Sequence, residues 1–121
     1  METTCEPIDG FEKEFIQRER ELYSIAYTQN ILYGRWKYLI IWFLKTQKRR
    51  HSEIKVFLNN ISQGSLTKQL RELEADGVVK REVYPEVPMR VEYSLTTKGT
   101  LLLPIIELMG KTLTMIDRLG E

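Results

Sequence analysis

The spacing of apolar residues changes near residue 77, and this change constrains the fold more than any other feature. Upstream, three leucines recur at intervals of four and three, which predicts an amphipathic helix with one buried edge. These leucines are Leu66, Leu70 and Leu73. Asp76-Gly77 supplies a helix stop. Downstream, residues 78–84 are rich in β-branched side chains and residues 90–95 alternate polar with apolar, so we expect two strands.

The residues on either side of these elements predict their connections. A short amphipathic pattern precedes the leucine-edged helix and ends at the turn-forming pair Asn59-Asn60, after which Ser62 can cap the next helix. Between the two strands, Pro85 and Pro88 require a loop. Two short helices joined by a tight turn and followed by a hairpin are typical of a winged helix-turn-helix. The predicted fold is therefore mainly α with a small β-hairpin wing, an α+β class.

Two helical patterns precede this unit. Asp9 and Glu12 resemble a capping box, which predicts a helix over residues 11–22. A further apolar stripe at helical spacing is expected to face the core, and Gly34 is expected to break or kink the helix that carries it. The core-facing part of this stripe comprises Trp36, Leu39, Ile40, Phe43 and Leu44.

The last helix carries more apolar surface than one small core can cover. Thr96 can cap this helix, and Pro104 within it predicts a kink. A second copy of the chain is the commonest cover for such a face, and the helix over residues 11–22 could add to the contact. The alternative is that the last helix folds back on its own core. The predicted dimerisation residues are Leu101, Ile105, Leu108, Met109, Leu113 and Ile116.

These patterns divide the chain into three parts. Residues 1–22 form a helical extension, residues 23–98 the winged helix-turn-helix core, and residues 99–121 a C-terminal dimerisation helix. The net charge is +1, yet residues 34–98 hold thirteen basic and seven acidic side chains, whereas residues 1–33 hold three and seven. A basic middle between acidic ends indicates a surface that meets a polyanion, or else a solvated surface without a partner.

The residue types exclude several classes of function. The chain has one histidine, His51, and one cysteine, Cys5, with no glycine-rich phosphate loop and no carboxylate pair at metal-ligand spacing. We therefore expect no enzyme activity, no metal and no cofactor. The longest apolar runs are six residues, whereas about 20 are needed to span a bilayer. The single thiol and the absence of an apolar leader predict a cytoplasmic protein without membrane segments.

Four motifs, in order, give the chain a family resemblance from Tyr23 to about Met109. Gly34-Arg35-Trp36 is similar to a Gly-Lys-Trp at the start of a core helix, and Arg50-His51-Ser52-Glu53-Ile54 is similar to Arg-Phe-x-Glu-Leu. Residues 61–79 match a recognition helix and its exit, and residues 84–99 match a wing and the start of a last helix. Together they resemble the HxlR family of bacterial winged-helix transcriptional regulators, which are related in fold to the MarR regulators.

The resemblance implies a homodimer, joined through terminal helices, that binds double-stranded DNA at a near-palindromic operator. The polar edge of the leucine-edged helix would enter the major groove, the turn before the preceding helix would hold phosphate, and the wing would contact the flanking DNA. The expected DNA-binding residues are Arg49, Arg50, Gln63, Gly64, Ser65, Thr67, Lys68, Arg71, Met89 and Arg90. Arg90 could instead pair with Glu82 or Glu92, and Lys80 and Arg81 could be strand surface only.

The chain also departs from the family pattern. Many members carry a cysteine thirteen residues before the Trp, and some sense oxidants or electrophiles through it; here that position is Tyr23. Thiol sensing is therefore not implied. Apolar space between the last helix and the core could hold a small apolar or aromatic effector near Trp36, Tyr27 or Met109. A winged-helix module that binds protein rather than specific DNA is the alternative function.

Overall fold

The computed structural model describes residues 10–120, with side chains from residue 17 onward. The chain divides after Tyr33 into two compact units. In the first, helix α1 runs over Gly10–Leu32, so the helix predicted over residues 11–22 continues to Leu32. The predicted boundary after residue 22 falls inside α1, and the predicted capping residue Asp9 lies outside the described residues. Gly34 has a φ of +100° and follows the end of α1, which confirms the predicted break.

The second unit is mainly helical and carries a small sheet, which confirms the predicted fold class. Its helices are α2 (Lys37–Phe43), α3 (His51–Leu58), α4 (Gln63–Ala75), α5 (Thr97–Thr100) and α6 (Leu103–Leu119). Its strands are β1 (Arg49–Arg50), β2 (Val79–Tyr84) and β3 (Arg90–Leu95). Helix α2 packs on α3 and α6, and α4 packs on β2.

The sheet has three antiparallel strands in the order β1-β3-β2, one more than the sequence predicts. Strands β2 and β3 form the expected hairpin, with Val79 opposite Leu95 and Tyr84 opposite Arg90. Strand β1 lies where the sequence predicts the turn before α3. Two residues are too short to show an alternating pattern, and β1 forms because the other edge of β3 offers it backbone partners.

The core of this unit is centred on the buried edge of α4. Its three leucines are at most 1% exposed, as their spacing predicts. They share the interior with apolar side chains from α2, α3, the sheet and the residues next to them: Ile40, Ile41, Leu44, Ile54, Leu58, Val78, Val79 and Tyr93. The expectation for Leu39 is wrong, since this side chain is 44% exposed. The seven-residue α2 buries Ile40 and Ile41 instead, and this leaves Leu39 on the flank of the helix.

A buried ion pair joins α2 to α4. The Lys37 side chain is 2% exposed, and its Nζ lies 2.7 Å from Oε1 of Glu72, which is 33% exposed. The hydrogen bond from Lys37 holds the pKa of the Glu72 carboxyl below its ordinary value. This pair therefore ties the last turn of α4 to the start of α2 by a charge-assisted bond.

The ends of α4 are held by polar contacts. The Ser62 hydroxyl accepts a hydrogen bond from the Ser65 amide at 3.1 Å, as expected for the cap. After α4, Gly77 adopts a φ of +76°, a conformation that favours glycine. The Thr96 hydroxyl donates to the Gly77 carbonyl at 2.5 Å and accepts from the Gly99 amide at 3.0 Å. Thr96 thus caps α5 and fastens it to the end of α4.

The C-terminal segment forms two helices separated by a turn at residues 101–102, and the predicted kink at Pro104 is wrong. Pro104 is the second residue of α6. In a first turn the missing amide hydrogen has no intrahelical acceptor to lose, so proline starts the helix without bending it.

Within residues 10–120, the segment Thr97–Leu119 is long and apolar enough to cross a membrane by length and composition alone. One such segment is weak evidence for a membrane span. The turn between α5 and α6 interrupts it, and Glu107, Lys111 and Asp117 place charges along α6.

Replacing Glu72 tests the buried pair. Glu72→Gln removes the carboxylate that lies 2.7 Å from the buried Lys37 ammonium, and we expect a loss of about 1–2 kcal/mol in unfolding free energy at pH 7, less than for a fully enclosed pair. Because the folded pKa of Glu72 is lowered, its contribution is present above the ordinary carboxyl pKa and disappears as pH falls through the folded value. Urea denaturation at neutral and acidic pH measures both effects. Glu74→Gln, exposed on the same helix, is the control, and equal stability of the Glu72 variant and wild type at pH 7 would contradict the prediction.

Replacing Gly99 tests the junction between α4 and α5. A Cβ on Gly99 would overlap the carbonyl oxygen of Val78, so we expect Gly99→Ala to lower the unfolding free energy by about 2 kcal/mol or more. A Cβ on Gly64 meets no atom within 4 Å, which makes Gly64→Ala the matched control. Thermal melts of the two variants should separate, with only Gly99→Ala falling below wild type.

Candidate nucleic-acid interface

The outer edge of α4 gathers six of the predicted site residues on one helix. Gln63, Gly64, Lys68 and Arg71 are exposed, and Ser65 and Thr67 are half-buried. They lie together because the leucine edge of the same helix is packed in the core, which directs the polar edge outward. The arrangement offers amide, hydroxyl, ammonium and guanidinium groups along one helix face.

The start of α4 presents bare backbone. Gly64 is the second residue of the helix, and nothing lies within 4 Å of the position that its Cβ would take. Because Gly64 has no side chain, another molecule could approach the backbone of the first turn of α4 more closely than if any other residue occupied this position.

Thr67 is tied to the preceding helix. Its hydroxyl lies 3.3 Å from Nε2 of His51, the first residue of α3. His51 is half-buried and hydrogen-bonded, and it takes the place of the phenylalanine in the family motif. This contact links the start of α3 to Thr67 on α4 and so helps to hold the two helices together.

The two arginines before α3 have different surroundings. Arg50 is exposed, and its amide donates to Oε1 of Glu53 at 2.8 Å, which satisfies the start of the helix. Arg49 is half-buried: its guanidinium carbon lies 4.0 Å from the centre of the Phe43 ring, and its Nε donates to the Phe43 carbonyl at 3.4 Å. Phe43 in turn stacks on Phe57 at 4.1 Å. Of the pair, Arg50 is the one directed to solvent.

In the wing, Met89 and Arg90 also differ. Met89 is 64% exposed in the loop that joins β2 to β3. The Arg90 guanidinium lies 3.0 Å from Glu86 and 3.4 Å from Glu92, and it stacks over Tyr84 at 4.0 Å. The pairing with Glu92 that the sequence allows is therefore present, and the Arg90 guanidinium interacts with partners inside the wing.

A second ion-pair cluster lies on the same sheet. Glu82 accepts from Lys48 at 2.8 Å and lies 3.4 Å from Lys80. The hydrogen bond from Lys48 lowers the pKa of the Glu82 carboxyl, and the same bond raises the pKa of Lys48. These exposed cations are thus neutralised locally, whereas Arg50, Lys68, Arg71 and Arg81 have no carboxylate within 4 Å among the described residues.

Two grooves flank these elements. A polar groove of about 370 Å³ lies between α4 and the sheet, and Arg71, Arg81 and Tyr93 line it. An apolar groove of about 430 Å³ lies between α2, α3 and α6, with Trp42 and Met109 in its walls. The sequence does not predict whether Arg81 belongs to the site or is only strand surface, because its position beside α4 depends on how β2 packs. Within residues 17–120, no group of three or more His, Cys, Asp or Glu side chains could hold a metal ion.

The geometry agrees with a known family. The profile of the HxlR-like helix-turn-helix family matches residues 31–117, which include α4 and the wing. The chain belongs to this family. An HTH-type transcriptional regulator of Methanothermobacter thermautotrophicus is 44% identical over 98 residues, which cover 81% of this chain and 75% of that protein. YybR, an HTH-type transcriptional regulator of Bacillus subtilis, is 43% identical over 95 residues, which cover 78% of this chain and 76% of that protein.

Solved structures in this family share the fold. The redox regulator HypR in its oxidised form superposes with a TM-score of 0.71 at 43% identity, over 73% of this chain and 91% of HypR. The HTH-type regulator YtcD superposes with a TM-score of 0.70 at 39% identity, over 80% of this chain and 97% of YtcD. This member of the HxlR-like family is accordingly a transcriptional regulator of the helix-turn-helix type.

The bare backbone at Gly64 generates a prediction for DNA binding. Gly64→Ala should fold normally, because its Cβ meets no protein atom and its φ is not positive. We expect it to lower DNA-binding free energy by about 1–2 kcal/mol, since an added methyl crowds a close contact. Fluorescence anisotropy measures affinity and a thermal melt measures folding. Unchanged affinity would place Gly64 outside the interface.

Proposed function

We propose that this regulator binds a near-palindromic operator as a homodimer, with the outer edge of α4 in the major groove. The observation that carries the proposal is the orientation of α4, whose buried leucines leave only polar groups and bare backbone on the opposite edge. A helix of this width fits the major groove of B-DNA, where each base pair shows a distinct pattern of donors and acceptors.

The side chains on that edge suit distinct roles. Gln63 has the amide that pairs with adenine, and Lys68 and Arg71 have donors for guanine or phosphate. Arg50, exposed beside the start of α3, is placed in this proposal on a backbone phosphate. Arg49 and Arg90 have smaller roles here than the sequence predicts, since the first stacks on Phe43 and the second is paired within the wing.

The proposed dimer interface is the open apolar face formed by α6 and Leu101 in the turn before it. All six residues that the sequence predicts for it are at least 41% exposed in the single chain, and Leu113 is 65% exposed. Ile106, on the other side of α6, is buried in the chain's own core. A second copy offers an identical face under two-fold symmetry and would place two α4 helices about 34–36 Å apart, one turn of B-DNA.

The function is tested with DNA from upstream of the protein's own gene and of the neighbouring gene. Fluorescence anisotropy should show tighter binding to one of these duplexes than to a shuffled duplex of the same composition, at several salt concentrations. Equal binding to all duplexes would contradict operator recognition. No binding at low salt would favour the protein-docking alternative.

The dimer is tested by a charge on α6. Leu113→Glu places a carboxylate in the proposed interface, so light scattering should give the mass of one 14.3 kDa chain, where wild type gives twice that value. Val56→Glu is the matched control, because Val56 is 79% exposed on α3, outside α6, and its variant should remain dimeric. A monomeric wild type would contradict the proposal.

The apolar groove supports a proposed effector site. Its walls include Trp42 and Met109, so an apolar or aromatic molecule would find stacking and methionine contacts there. Met109 was expected at this site, whereas Trp36 does not line the groove. The effector would alter DNA affinity only if it binds one spacing of the α4 helices better than another.

We also propose that the regulator works in the cytoplasm without a thiol sensor in α1. HypR is described as a redox regulator, but in this chain the position at which the resemblance places a cysteine is Tyr23, on α1. Cys5 is the single cysteine and lies outside the described residues.

A further inference from the structure

The polar groove between α4 and the sheet has the composition of an anion site. Thr67 and Arg71 line it from α4, and Arg81 and Tyr93 line it from β2 and β3. Its volume is about 370 Å³, which exceeds the size of a phosphate group. Tyr93 is buried and lines this groove.

Arg81 occupies an unusual position in its strand. Side chains alternate between the faces of a sheet, so Arg81 shares a face with Val79 and Val83, and it pairs in register with Tyr93. This face packs toward α4, since Val79 and Tyr93 are buried. Lys80, one residue earlier, lies on the opposite face. Arg81 itself is exposed, so it lies on the α4 side of the sheet with its side chain accessible to solvent.

The charges in the groove are unbalanced. Arg71 and Arg81 both line it, and neither has a carboxylate within 4 Å among the described residues. Glu74 also lines the groove, so its formal charge is +1. Arg90, by contrast, has two carboxylate partners in the wing. Two guanidinium groups that share a cavity repel each other, and a bound anion would offset this repulsion.

We propose that this groove binds a backbone phosphate of the DNA, with Arg81 and Arg71 as its charged ligands. This inference rests on the proposed function. The groove opens between α4, which the proposal places in the major groove, and the wing, which would contact the flanking DNA. The sugar-phosphate backbone of the DNA between those two contacts would pass this opening. Guanidinium groups match the oxygens of a phosphate in paired hydrogen bonds.

A phosphate ligand gives a distinctive signature. Backbone phosphates are the same at every base pair, so Arg81 should contribute equally to operator and to random DNA. Each phosphate contact that is lost lowers the slope of log affinity against log salt by about 0.9, which corresponds to about fivefold in affinity near 0.15 M salt.

The decisive comparison is Arg81→Gln with Lys80→Gln on a random-sequence duplex. Both variants remove one positive charge from neighbouring positions in β2, but only Arg81 faces the groove. Arg81→Gln should show the reduced salt slope and the fivefold loss, and Lys80→Gln should keep the wild-type slope. Equal slopes for Arg81→Gln and wild type would overturn the groove assignment and leave the proposed function standing. Wild type that fails to bind the duplex at low salt would overturn both.

A double-mutant cycle tests whether the two arginines share one phosphate. Shared ligation predicts that Arg71→Gln combined with Arg81→Gln loses less affinity than the product of the two single losses. Losses that multiply would overturn a common ligand. Arg81→Lys guards against misfolding, because it keeps the charge and should keep the salt slope. If Arg81→Lys loses the slope as Arg81→Gln does, the effect is structural and the proposal fails.

A free anion is the other source of the same chemistry, and inorganic pyrophosphate is the probe for it. If pyrophosphate raises the melting temperature of wild type but not of Arg81→Gln, while the DNA salt slopes of the two are equal, the groove holds a small anion and the DNA assignment is overturned. A reduced DNA salt slope together with no pyrophosphate effect supports the backbone phosphate.

Discussion

Burial of the leucine edge of α4 is the constraint on which the rest of this structure depends. A helix has one orientation that removes Leu66, Leu70 and Leu73 from water together, and that orientation determines which residues remain outside. The Lys37–Glu72 pair adds a directional bond between α2 and the last turn of the same helix. Apolar burial supplies most of the stabilising free energy. The ion pair restricts rotation and sliding of α4 against α2, because either movement would separate the buried Lys37 ammonium from the Glu72 carboxylate.

The sheet extends this order to the wing and the turn before α3. Strand β3 lies in the centre, so β1 and β2 are held at a common spacing from it. The same alternation that buries Val79 turns Arg81 toward α4, and the pairing of β1 with β3 brings Arg49 and Arg50 beside the hairpin. Most other cations near the sheet are neutralised by Glu82, Glu86 or Glu92, which concentrates unpaired positive charge on α4, Arg50 and Arg81.

Helix α6 has two apolar sides, of which one is buried in the chain's own core and the other is exposed to solvent. Ile106 fills the core beside α2, whereas Leu108 and Leu113 remain in solvent. Within the second unit, both side chains are more than half exposed. The family relationship shows a regulator of the helix-turn-helix type, and the uncovered face supports the two-fold assembly that such a regulator would use to place two α4 helices on one operator.

The sequence by itself determined the helices, the hairpin and the polar edge of α4, because leucine spacing, caps and β-branched runs act over a few residues. Ser62, Asn59, Asp76 and Thr96 mark boundaries that the structure confirms. Only the tertiary structure decided what depends on distant partners: the strand β1, the start of α6 at Pro104, and the exposure of Leu39. The pairing of Lys37 and the position of Arg81 were also decided by the tertiary structure. The groups that surround each of these charged side chains are far away in the sequence and approach it only when the chain folds.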